Sequence, residues 1–137
     1  MVIADTGFWL ALLNLGDRHH QSALAARKRI DEGLVTTWPV VTETCHLLMR
    51  HLGGASQRAF MQAWLDGGFT IRALGLEDGP RLVRLMRDYA DLPMDLADAS
   101  LVVLAEHLGD GRILSTDERD FQTYRWKSRK PFQNLLL

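Results

Sequence analysis

"VIADTGFWLALLNL", residues 2–15, changes its hydrophobic period within a few positions. Val2 to Ala4 make a short apolar run that ends in an acid, Asp5; beyond Thr6 the spacing of Phe8, Leu12 and Leu15 is helical. Strand, turn and helix are expected in that order, with Asp5 where the strand stops. The alternation recurs downstream. "LVTTW" (34–38) reads as a strand, and Pro39 suits the first turn of a helix continuing through "VVTETCHLLMRHL" (40–52). "FTIRAL" (69–74) reads as a strand ahead of a helix striped by Leu82, Leu85, Met86 and Tyr89. "RILST" (112–116) is a strand running into an acidic turn, and "PFQNLLL" (131–137) a last strand. Further helices are expected over residues 17–33, with Asp17 as N-cap, and over 56–68. Short apolar strands alternating with helices imply an α/β sandwich of three layers, a central, mostly parallel sheet with helices on both faces.

At 137 residues the chain fits one domain spanning 1–137, large enough for a core without disulfides. Its 47% hydrophobic and 24% charged residues exclude a disordered or fibrous class. The formal net charge of -1 means that a nucleic-acid partner must be held by a local basic patch. Cys45, the only cysteine, fits a reducing compartment, and no stretch approaches a membrane span, so a cytoplasmic protein is expected.

The helix expected over "DLPMDLADASLVVLAEHLG" (91–109) is apolar on nearly every side, yet carries Asp95 and Asp98 near its start. With Leu101 at the centre of the core-facing side, Asp98 lies roughly 60° away and Asp95 roughly 120° away at about 100° per residue. Asp98 is the inward acid; Asp95 caps the helix or supports a ligand from behind. Burying an unpaired carboxylate is costly, and a divalent cation offsets that cost best because hard oxygens are the natural ligands of magnesium or manganese.

In an open parallel sheet, ligands gather beyond the carboxyl ends of the strands. Asp5, Asp117 and Asp120 follow strands there, Glu43 lies one turn into the helix after "LVTTW", and Asp98 opens its helix. A pocket of Asp5, Glu43, Asp98 and Asp117 suits Mg2+, which prefers a few carboxylates, several waters and the phosphate oxygens of a substrate. The implied chemistry is phosphodiester hydrolysis by an activated water. In the tail "YRWKSRKPF", Arg125, Lys127, Arg129 and Lys130 alternate with aromatic residues, a composition that serves either to hold RNA phosphates or to guard a sheet edge.

Four pieces, "IADTGFW", "VVTETCHLL", "DLADASLVVLAEHLG" and "ILSTDERDFQTYR", together resemble the PIN-domain ribonucleases, and within them the VapC-type toxins of toxin–antitoxin pairs. The resemblance covers almost the whole chain. It implies a PIN-like sandwich and a catalytic quartet of Asp5, Glu43, Asp98 and Asp117, with Asp5, Asp98 and Asp117 on the metal. Thr6, Asp95, Thr116 and Asp120 are implied to support them. It further implies an Mg2+ cofactor that Mn2+ replaces, an RNA substrate cut to leave a 5′-phosphate and a 3′-hydroxyl, a homodimer, and a VapB-like antitoxin. Two features depart from the family pattern: Gly7 stands where a hydroxyl residue is common, and Asp117 where some relatives carry asparagine.

Two other classes compete with this reading. A phosphatase of the haloacid-dehalogenase type wants a second acid two residues after the first, where Gly7 stands. A non-catalytic binding module would keep the fold and use the acids as helix caps alone.

Overall fold

The computed structural model describes all residues, 1–137. Strand β1 (Val2–Ala4) leads through Asp5 into α1 (Thr6–Leu13), followed by α2 (His20–Arg29), β2 (Leu34–Thr37), α3 (Trp38–Leu52), α4 (Gly54–Leu65) and β3 (Thr70–Arg72). A single 3-10 turn, Leu76–Asp78, precedes α5 (Gly79–Asp88), then α6 (Leu96–Leu108), β4 (Arg112–Leu114) and α7 (Glu118–Thr123). The chain ends in β5 (Arg125–Trp126), β6 (Lys130–Pro131) and β7 (Gln133–Asn134).

Five strands form one sheet in the order β3-β2-β1-β4-β7, every pairing parallel. All residues of β1 and β2 are buried. Because successive strand residues point to opposite faces, both faces of the sheet centre are covered. This is the α/β sandwich expected from the alternation of elements. The chain moves outward from β1 to β2 and β3 on one side, then to β4 and β7 on the other. The crevice between β1 and β4 is therefore the topological switch point of the sheet.

Helix α6 is the central helix of the core. Eight consecutive side chains apart from Asp98, Ala97 and Ala99 through Ala105, are buried, so the helix is covered nearly all round. It packs against α3, α5 and β2, and ends where Gly109 takes the left-handed conformation that a side chain resists, φ 66°. Its first turn is pinned to the sheet. Thr37 Oγ1 and Ser100 Oγ lie 2.6 Å apart, and Ser100 also donates to the Ala97 carbonyl. These bonds set the height of Asp98 relative to the strand ends.

Two local expectations are corrected. Helix α2 starts at His20 rather than at Asp17, because the Asp17 carboxylate accepts the His19 N–H at 2.8 Å and closes a turn there. His20 is then buried, with Nδ1 2.7 Å from the Ala11 carbonyl, and ties α2 to α1. The acidic stretch after β4 is a helix, α7, rather than a bare turn, and "YRWKSRKPF" folds as an antiparallel ribbon of β5 and β6 outside the main sheet.

Candidate active site

Asp5, Asp95, Asp98 and Asp117 each owe their place to the end of an element. Asp5 ends β1 and caps α1: its Oδ1 accepts the Thr6 N–H at 2.7 Å. Its Oδ2 accepts the Ser115 hydroxyl at 2.9 Å, and the residue is only 7% exposed. Ser115, fully buried at the end of β4, also accepts the Asp117 N–H at 2.9 Å. One hydroxyl thus joins both strands flanking the switch point. Asp117 caps α7 by accepting the Asp120 N–H at 3.0 Å. Asp95 caps α6 by accepting the Asp98 N–H at 2.8 Å. Asp98 stands in the first turn of α6, where Tyr124 Oη donates to its Oδ2 at 2.8 Å.

The carboxylates repel one another across this crevice. Burial pushes Asp5 up to about 6, despite the donors Thr6 and Ser115, and the charges of Glu43 and Asp117 raise it further. Burial also pushes Asp98 up to about 8, against the Tyr124 hydrogen bond and with added repulsion from Asp5, Asp95 and Asp117. Asp117 is raised too, chiefly by burial and by its neighbour Asp120. Asp5 thus feels Glu43 and Asp117, and Asp98 feels Asp5 and Asp117, although the four come from distant parts of the sequence. Asp120 is buried at the edge of this group, with Oδ1 3.2 Å from Arg119 Nε.

The donor set fits a hard divalent cation. The interacting groups are carboxylate oxygens, and the Thr6 hydroxyl beside Asp5 is buried with no hydrogen-bond partner. No three His, Cys, Asp or Glu side chains close into an all-protein cage. An ion that keeps several of its waters, as Mg2+ does, is held by acids that need not close into such a cage.

Two accessory features lie outside the sequence expectations. Ser115, rather than Thr116, is the hydroxyl bonded to the acids. A serine two residues before Asp117 is a recognised turn pattern, so that signal was present. Tyr124 carried no local signal, since its bond to Asp98 spans 26 residues. Thr116 has a different task. A Cβ on Gly7 would lie 2.0 Å from Thr116 Oγ1, so the Thr116 hydroxyl fills the space that a side chain at position 7 would take.

Glu43 faces an open groove of about 600 Å³, walled by Trp38, Thr42, His46, Asp95 and Leu96. A larger groove of about 840 Å³ between α3 and α4 adjoins it through Trp38, Thr42 and His46. The basic ribbon lies elsewhere. Trp126 touches Gly111 at the start of β4, and the Lys127 N–H bonds Glu106 near the end of α6. Glu106 is eight residues from Asp98, roughly 12 Å along the helix at 1.5 Å per residue. Arg125 spends its guanidinium on the carbonyls of Gln122, Thr123 and Tyr124, while Lys127 and Lys130 lie over the Trp126 ring. The structure brings Asp5, Thr6, Glu43, Asp95, Asp98, Thr116, Asp117 and Asp120 toward the carboxyl ends of the central strands, whereas Arg125 lies against the end of α7 and Lys127, Arg129 and Lys130 belong to the ribbon that meets α6 at Glu106.

A parallel α/β sheet with an acidic centre at its switch point is the class that fold and site define. The family model described as PIN domain matches residues 2–127, and the chain belongs to that family. Ribonuclease VapC26 of Mycobacterium tuberculosis is 26% identical over 124 residues, covering 90% of this chain and 92% of that protein. The crystal structure of VapC20 from the same organism, described as a Sarcin-Ricin loop cleaving toxin, superposes with a TM-score of 0.81 at 20% identity. That superposition covers 87% of this chain and 92% of VapC20, and shows the shared fold.

Two outcomes follow from this geometry. Gly7→Ala is expected to destabilise the fold by about 1–3 kcal/mol through overpacking against Thr116. Thr116→Ala in the same chain should recover at least half of that loss; strictly additive melting shifts would contradict the contact. The second concerns pH. With Asp5 and Asp98 raised above their unfolded values, the folded chain holds protons that the unfolded chain has released, so metal-free stability falls as pH rises from about 4 to about 8. Asp98→Asn should therefore raise the metal-free melting temperature at pH 8 by about 2–5 °C and have little effect near pH 4. A larger destabilisation at pH 8 than at pH 4 would contradict the assignment.

Proposed function

We propose that the chain is a divalent-metal-dependent endoribonuclease, working as a single PIN-like domain and as the toxin of a VapBC-like pair. The observation that carries this reading is the convergence of buried Asp5 with half-buried Asp98 and Asp117 at the switch point, where Ser115 bonds both the Asp5 carboxylate and the Asp117 N–H. Membership of the PIN domain family and similarity to a protein named as a ribonuclease support it.

Asp5, Asp98 and Asp117 would hold Mg2+, with Mn2+ able to replace it. When bound, such an ion supplies positive charge to a phosphate oxygen and lowers the pKa of water. The chain's own residues do the rest. Ser115 and the Thr6 N–H fix Asp5, Asp95 fixes the backbone that presents Asp98, and Asp120 steadies Asp117. Glu43, on the groove wall, takes the proton from the attacking water. The water oxygen bonds to phosphorus as the P–O3′ bond breaks and the departing O3′ takes a proton from solvent, leaving a 5′-phosphate and a 3′-hydroxyl. The groove past Trp38 and His46 admits a single strand. Lys127, Arg129 and Lys130 hold phosphates farther along, whereas Arg125 caps α7.

No helix is long and apolar enough to cross a membrane. A cytoplasmic homodimer restrained by a VapB-like antitoxin completes the proposal. Asp5→Asn, Asp98→Asn and Asp117→Asn should each lower RNA cleavage by about 100-fold or more, the scale of losing one group that stabilises developing charge. Each variant should stay folded by circular dichroism. A purified wild-type chain that cuts neither structured nor unstructured RNA with Mg2+ or Mn2+ would overturn the proposal.

A further inference from the structure

Tyr124 is fully buried, and its ring is held edge-on by two others: Tyr89 at 5.0 Å and 71°, and Phe121 at 5.1 Å and 85°. Phe121 is itself braced by Phe132, and Tyr89 Oη accepts the Arg125 N–H at 3.1 Å. A phenol clamped in this way has one place to put its hydroxyl, and that place is Asp98 Oδ2 at 2.8 Å. Asp98 Oδ1 has no protein donor and is not among the buried atoms left without a partner, so it reaches solvent. The two oxygens of this carboxylate therefore face different surroundings.

The connection has a further consequence. Helix α7 has only six residues, with Asp117 as its N-cap and Tyr124 as its C-cap. One short segment delivers one acid to the centre at its start and fastens a second acid, on α6, at its end. Movement of α7 would disturb both.

We propose that Tyr124 is a positioning residue for Asp98: it engages Oδ2 and leaves Oδ1 as the single oxygen presented to the cation. This rests on the nuclease function proposed above. A hydrogen-bonding partner behind a ligand fixes its orientation, and losing such a partner costs metal affinity in the range of about 10–100-fold. A tyrosine that merely filled the core would affect stability and leave metal affinity alone.

The test is calorimetric titration of Mn2+ into the full chain for wild type, Tyr124→Phe, Asp98→Asn and the double variant, with thermal melts of each. Tyr124→Phe keeps the ring and its packing, so folding is expected to persist. The expected result is about 10-fold weaker Mn2+ binding in Tyr124→Phe at unchanged stoichiometry, and no added loss when the change is made on Asp98→Asn. Unchanged affinity in Tyr124→Phe, with or without a lower melting temperature, overturns the positioning role while the nuclease proposal stands. An equal loss on the Asp98→Asn background also overturns it, because the effect would then not pass through Asp98. A wild-type chain that binds no Mn2+ overturns both.

Discussion

Asp5 sits at the end of the central strand, almost without solvent, and within reach of other carboxylates that repel it. A buried charge of this kind is tolerated only with donors or a cation beside it. Much of the local structure answers that need. The Thr6 N–H and the Ser115 hydroxyl each take one of its oxygens. Ser115 is in turn oriented by the Asp117 N–H, so the loop after β4 is shaped by the acid at the end of β1. The donors lower the cost without removing it, since both Asp5 and Asp98 remain well above the usual carboxylate range. In the proposed site, a cation beside these acids would offset the cost of burial that the donors leave.

The same acids do act as caps. Asp5, Asp95 and Asp117 each accept an N–H at a helix start. Capping contributes about 1 kcal/mol per helix, and it orients each side chain. For Asp95, exposed at the helix start, capping accounts for the residue. For Asp5 it does not, because an exposed aspartate would cap equally well without the cost of burial.

The fold was legible in the sequence because hydrophobic period is a local signal. "VIAD" followed by "TGFWLALL" marks β1, the acid and α1 with little ambiguity. The inward side of Asp98 was legible for the same reason, from its angle to Leu101. Contacts that close over long separations were not. The Tyr124 to Asp98 bond and the seating of Thr116 against Gly7 depend on tertiary placement, which no spacing encodes. Helix α7 was hidden because its charged first turn resembles a loop until Asp117 is seen to cap it. The ribbon carrying Lys127 and Arg129 was legible as a composition, but its distance from the acids was not.

The central claim is that acids from β1, α6 and the β4 loop jointly hold one class of ion. Anomalous diffraction from crystals grown with Mn2+ tests it most directly. The account predicts a peak in the crevice between β1 and β4, about 2 Å from at least one oxygen of Asp98 or Asp117, with Asp5 facing it directly or through water. Ordered crystals with saturating Mn2+ and no peak in that crevice, or a peak bound only by surface acids elsewhere, would contradict it.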